Sequence, residues 1–181
     1  MNFLPSNPFV TAYATIDLKY ATIKVLDGTT PTPNELEIKI GEGNLTFTEA
    51  RNIIYTLDRS LLDDVREGDQ VPVQLSFDGQ WEYMTASSST GATPTLRDVL
   101  NKIGGASSWV STDSDICRPY CVDIELEYRP QCSGSAAGDA ETIVFPDFRH
   151  ESFDGDLRAA TFSVSGQCNV TLATVTRFAQ T

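Results

Sequence analysis

Hydrophobic and polar positions alternate with a period of two along most of the chain, the signature of half-buried β-strands. YATIKVL (20–26), ELEIKI (35–40), NLTFT (44–48) and NIIYTL (52–57) read as strands. So do VPVQLSFDGQWEY (71–83), CVDIELEY (121–128), ETIVFPDFR (141–149) and LRAATFSVSGQCNV (157–170). In ELEIKI, Leu36, Ile38 and Ile40 share one face, with Glu35, Glu37 and Lys39 on the other. DGTTPTPN (27–34) and SGSAAGD (133–139) read as loops, ASSSTGATP (86–94) as a flexible link, and FDGD (153–156) as a hairpin turn. The charged stretch DRSLLDDVREGDQVP (58–72) predicts a long hairpin connection between strands; its adjacent Leu61 and Leu62 want a partner surface, because exposed leucine pairs rarely stand alone.

One segment switches to helical spacing. In TLRDVLNKI (95–103), Leu96, Val99, Leu100 and Ile103 form one apolar face, Thr95 and Asp98 stand at capping-box spacing, and Gly104-Gly105 follows as a stop. The expected architecture is mainly β: a single two-sheet β-sandwich or barrel domain over 1–181 with one flanking α-helix. Its N-terminal (1–15) and C-terminal (171–181) segments are expected to be arms.

Charge narrows the function. With 13 Lys+Arg against 25 Asp+Glu, the formal net charge is −12, which argues against a DNA-binding footprint, since that needs a clustered basic face. The sequence holds no apolar run long enough to span a bilayer and no signal-peptide pattern at its start. The cysteines, Cys117, Cys121, Cys132 and Cys168, lack the paired C-x2-C spacing of a zinc ribbon, so no metal is expected; they could be buried thiols or disulfide partners.

Catalytic patterns are absent. The one histidine, His150, has no G-x-S-x-G nucleophile elbow to serve and reads as a strand-end surface residue. No calcium loop or phosphate loop is present, and no cofactor is implied. Carboxylates are plentiful enough for an acidic hydrolase on residue type alone, but nothing marks an acid with a raised pKa. A monomeric carbohydrate-binding module using Trp81 and Trp109 is an alternative of another class.

Three stretches carry a resemblance. RNIIYTLDRSLLDDVREGDQVPVQLSFDGQWEY (51–83), CRPYCVDIELEYRPQC (117–132) and ETIVFPDFRHESFDGDLRAATFSVSGQCNV (141–170) resemble the tail tube (major tail) protein of long-tailed bacteriophages. The likeness lies in overall pattern from Glu35 to Val170, not in a short motif, and it does not extend to the cysteines. It implies a non-enzymatic virion protein, assembled in the host cytoplasm, whose hexameric rings stack into a tube through which DNA passes without specific binding. The implied partners are copies of itself and other tail proteins: tape measure, tail terminator, tail tip and, where the tail has one, sheath. A tail terminator or a capsid decoration protein is the neighbouring alternative. On this reading Asp123, Glu125 and Glu127, with Glu35 and Glu37, are candidates for a lumen wall that repels phosphate. Arg59, Leu61, Leu62, Asp63, Asp64, Arg66 and Glu67 are candidates for a loop that meets the next ring.

Overall fold

The computed structural model describes residues 21–38, 44–81, 94–128 and 140–178. The described strands are β1 (Ala21–Leu26), β2 (Glu35–Ile38), β3 (Leu45–Thr48), β4 (Ile53–Asp58), β5 (Leu61–Glu67), β6 (Gln74–Gln80), β7 (Val122–Tyr128), β8 (Ala140–Asp156), β9 (Thr161–Cys168) and β10 (Thr174–Phe178), with one helix, α1 (Leu96–Asn101). The fold is the mainly-β class expected, with one short helix.

Eight strands form one antiparallel ladder in the order β2-β1-β7-β8-β9-β6-β3, with β10 also paired to β8. The 17-residue β8 makes this possible. Its first half pairs with β7 and β10, and its second half with β9. Register shifts interrupt β8 opposite Val122–Ile124 and between His150 and Ser152. Such bulges bend a strand, so a single strand can pass from one layer of a sandwich to the other. Phe47 on the terminal strand β3 lies 5.1 Å, ring to ring, from Phe145 in the first half of β8, and Phe77 lies 6.1 Å from Phe148. The two halves of the ladder therefore face each other across one core. Ile23, Val25, Leu75, Phe77, Ile124, Phe145, Phe148 and Val164 fill it.

Alternation explains which face goes in. β7 buries Val122, Ile124, Leu126 and Tyr128 and turns Asp123, Glu125 and Glu127 outward. β9 buries Phe162, Val164, Gly166 and Cys168. At Gly166 an added Cβ would stand 2.1 Å from the Arg149 carbonyl oxygen, so the close approach of β9 to the β8 bulge admits only glycine.

The helix is shorter than its apolar spacing predicts. Thr95 and Asp98 form the expected capping box, and Leu96, Val99 and Leu100 pack on the core. The helix ends at Asn101 because Lys102 adopts a left-handed conformation (φ 53°), and Ile103 emerges to solvent at 44% exposure. FDGD (153–156) is the end of β8 instead of a turn. The turn lies at 157–160, where the Asp156 carboxylate accepts from the Arg158 and Ala159 amides at 2.8 and 3.2 Å. The tail expected as an arm contributes β10, Thr174–Phe178, to the ladder.

Candidate assembly surfaces

The stretch expected as a charged connection is half of a second sheet. β4 and β5 pair only with each other, in register from Ile53↔Glu67 to Asp58↔Leu61. Arg59 (φ 51°) and Ser60 (φ 70°) make the two-residue turn, both in the left-handed region that such tight hairpins require. Asparagine and glycine usually fill these positions, so the expected hairpin connection carries no signal for a tight turn at these two residues.

Strand geometry sorts this hairpin into two faces. Ile53, Tyr55 and Leu57 share a face with their partners across the ladder, Glu67, Val65 and Leu62, so five apolar side chains lie together with Glu67 at the end far from the turn. All five are exposed, from 45% at Ile53 to 63% at Leu57. The opposite face carries Thr56, Asp58, Asp64 and Arg66 beside Ile54 and Leu61. Every residue of β4 and β5 is solvent-exposed, so nothing else described in the chain covers the apolar face. The seven loop candidates from the sequence, Arg59 to Glu67, all lie on this hairpin.

The five acidic candidates come together on one face of the first half-sheet. Lys24 on β1 is flanked in register by Glu37 on β2 and Glu125 on β7, and Leu26 by Glu35 and Asp123. Lys24 Nζ lies 3.7 Å from Glu35 and 3.6 Å from Glu127. The central cation is thus Lys24, which only cross-strand register reveals; Lys39, which the sequence places on this face, lies outside the described residues. Asp123 is half-buried and accepts from the Asp147 amide at 2.9 Å. Burial pushes its carboxyl up, and the Asp147 charge adds to this.

A second outward face carries carboxylates that sequence reading missed. Across β6, β9 and the second half of β8, Asp78, Ser163 and Asp154 form one row, and Gln80, Thr161 and Asp156 the next. Hydroxyl residues continue the face: the Ser152 and Ser165 hydroxyls are hydrogen-bonded at 2.8 Å, beside a shallow depression of about 240 Å³ lined by Thr46, Thr48, Gln74 and Gln167. Alternation marks each of these residues as outward, but only register aligns them in rows.

The loop before β7 is held by charge. Asp113 Oδ2 takes Arg149 Nη2 at 2.8 Å and Arg118 Nη1 at 3.1 Å, and Arg149 Nε donates to the Pro119 carbonyl. The Asp115 amide, then the two guanidiniums, hold the Asp113 carboxyl below its ordinary value. Cys117, Cys121 and Cys168 are free thiols, and Cys132 lies outside the described residues. Cys121 and Cys168 are buried; burial, with the Asp123 and Asp147 charges, pushes the Cys168 thiol up to about 12. Only Cys117 of the three is exposed.

His150, expected at a strand end, lies within β8 opposite Gly166 and is half-buried, and burial lowers its pKa. Trp109 is in the core at 5% exposure. Trp81 stands edge-on to Phe153 at 5.6 Å. Among the described residues no group of three metal-ligating side chains is gathered, and no helix is long and apolar enough to cross a membrane.

No protein-family model matches this chain, and no curated protein matches its sequence. Among solved structures, the chain is similar to one in a 6-fold symmetrised cryo-EM structure of the anti-feeding prophage (AFP) baseplate. The TM-score is 0.42 and the identity 12%, over 86% of this chain and 91% of that one.

Proposed function

We propose that the protein is a structural subunit of a phage tail, a tail tube protein whose hexameric rings stack into the conduit for DNA. The observation that carries this reading is the β4–β5 hairpin. A monomer that exposes five apolar side chains on one strand-pair face has built that face for another protein. The sequence resemblance to tail tube proteins supplies the identity of that other protein: a further copy, in the next ring. The role is structural and not catalytic. The acidic balance suits it, because a wall of carboxylates repels phosphate, whereas basic residues would hold DNA by counterion release.

The test replaces 53–67 by a short Gly-Ser link between Asn52 and Gly68. Those two residues are adjacent, since the Gly68 amide donates to the Asn52 carbonyl at 2.7 Å, so the main ladder stays closed. Negative-stain electron microscopy of the purified chain, with a tail-tip initiator added, should show long hollow tubes, and the shortened variant should show none. Normal tubes from the variant would refute the docking role. Tubes then allow the wall to be located. Changing Glu35, Glu37 and Glu125 to Lys in one variant, and Asp78, Asp154 and Asp156 in another, slows DNA ejection only for the face that lines the lumen.

A further inference from the structure

The hairpin has a position in the ladder as well as a face. The chain leaves β3 at Thr48 and re-enters at Gln74 of β6, and these two residues are register partners. The hairpin is therefore rooted at one end of the β3–β6 pair. β6 runs from that root to Gln80, which pairs with Thr161 at the start of β9. Thr161 in turn pairs with Asp156 at the end of β8. The β8–β9 turn, 157–160, thus lies at the end opposite the root. The seven-residue strand from Gln74 to Gln80 separates the two ends by about 20 Å at the usual rise.

This far end is shaped for a partner. Leu157 is 78% exposed although it is apolar, and Arg158 beside it holds no ion pair among the described residues. The turn is rigid: Asp156 caps it through two amides, and the Trp81 amide donates to the Ala160 carbonyl at 2.8 Å. A preorganised apolar side chain with an unpaired cation is the form that interface anchors take. The charges on the two ends are reciprocal. Asp63 and Asp64 on β5 of the hairpin are opposite in charge to Arg158, while Arg59 at its turn, also without an ion pair among the described residues, matches the exposed Asp154 and Asp156.

We propose that the β8–β9 turn, through Leu157 and Arg158, receives the β4–β5 hairpin of a second copy of the chain, joining copies head to tail. Such a heterologous contact does not close on itself, so it propagates along an axis, whereas hairpins meeting face to face would stop at a two-fold dimer. The inference rests on the stacking reading above and assigns the surface that the hairpin meets.

Two measurements test it. In the first, Leu157→Ser with Arg158→Glu should raise the concentration needed for tube growth by roughly ten-fold or more, with thermal unfolding of the subunit unchanged. Adding Asp63→Lys and Asp64→Lys to Arg158→Glu alone should restore growth in part. In the second, Cys117 and Cys132 are changed to Ser, and a chain carrying Leu62→Cys is mixed with a chain carrying Leu157→Cys under mild oxidation. A disulfide between the unlike chains is expected. If the turn variants grow tubes normally while the hairpin replacement does not, the receiving surface is elsewhere and only this inference falls. If the hairpin replacement also grows tubes, the stacking reading falls with it. A disulfide that forms instead between two Leu62→Cys chains would show a two-fold dimer and overturn the head-to-tail contact.

Discussion

Asp27 is the buried charged residue on which the connection between β1 and β2 depends, and Asp27→Ala should be among the most damaging polar substitutions in the chain. Its side chain is 4% exposed. One carboxylate oxygen takes the Thr29 and Asn34 amides at 3.1 and 2.7 Å. The other takes the Thr29 hydroxyl, the Asn34 side-chain amide and the Val110 amide at 2.7, 2.8 and 3.1 Å. The bond to Val110 ties this connection to a segment 83 residues away. Alanine leaves three backbone N–H groups without an acceptor. At about 1 kcal/mol for each stranded amide, plus a similar loss for the two side-chain donors together, the expected cost is about 4 kcal/mol. For a chain of this length that lowers the melting temperature by roughly 10 °C. The assay is urea unfolding followed by tryptophan fluorescence, at a concentration where sedimentation shows monomer, since assembly would add its own stabilisation. The midpoint should fall with the slope unchanged. Asp27 also fixes a pH dependence. Burial alone would raise its carboxyl, but the bonds from Asn34, Thr29 and Val110 outweigh it and hold the value below 3.8. A lowered folded value means the contribution is present above the unfolded pKa and is lost as pH falls through the folded one. The Asp27→Ala penalty should therefore be full at pH 7 and shrink only below about pH 4. A loss under 1 kcal/mol, or a penalty that does not shrink in acid, would refute this account.

Further expectations concern the sheet. Gly166→Ala places a Cβ 2.1 Å from the Arg149 carbonyl oxygen and 2.8 Å from the His150 Cα, both backbone atoms that cannot swing aside, and should cost about 3 kcal/mol in the same unfolding assay. Asp123 behaves oppositely to Asp27: its carboxyl is raised by burial and by Asp147, so its contribution is present below the unfolded pKa and is lost as pH rises through the folded value. Asp123→Asn, which keeps an acceptor for the Asp147 amide, should compare more favourably with the parent at pH 7 than at pH 4, and a difference independent of pH would contradict the assignment.

The divergence between alternation and architecture is clearest at β8. Period-two spacing gives neither its length nor its inward residues throughout: the buried Phe145 and Phe148 stand three apart, across a bulge. The sequence FDGD has turn composition, yet Gly155 continues the strand, placed where a Cβ would meet the Trp81 ring at 2.9 Å. The turn falls four residues later, where Asp156 can cap it. Local composition reports what a backbone can do; the cross-strand partner decides what it does. The same holds at Arg59-Ser60, where two residues with no hairpin signature adopt left-handed conformations because the flanking strands pair.

Local sequence sets the faces of the unbroken strands, the capped helix start and the acidic balance. These are local properties, set by side-chain period, composition and short hydrogen bonds. Tertiary structure decided which faces became neighbours. It gathered Glu35, Glu37, Asp123, Glu125 and Glu127 around Lys24, aligned Asp78 with Asp154 across β9, and left the apolar face of β4–β5 uncovered. Register and layer closure connect residues a hundred positions apart, and no window of sequence contains them both.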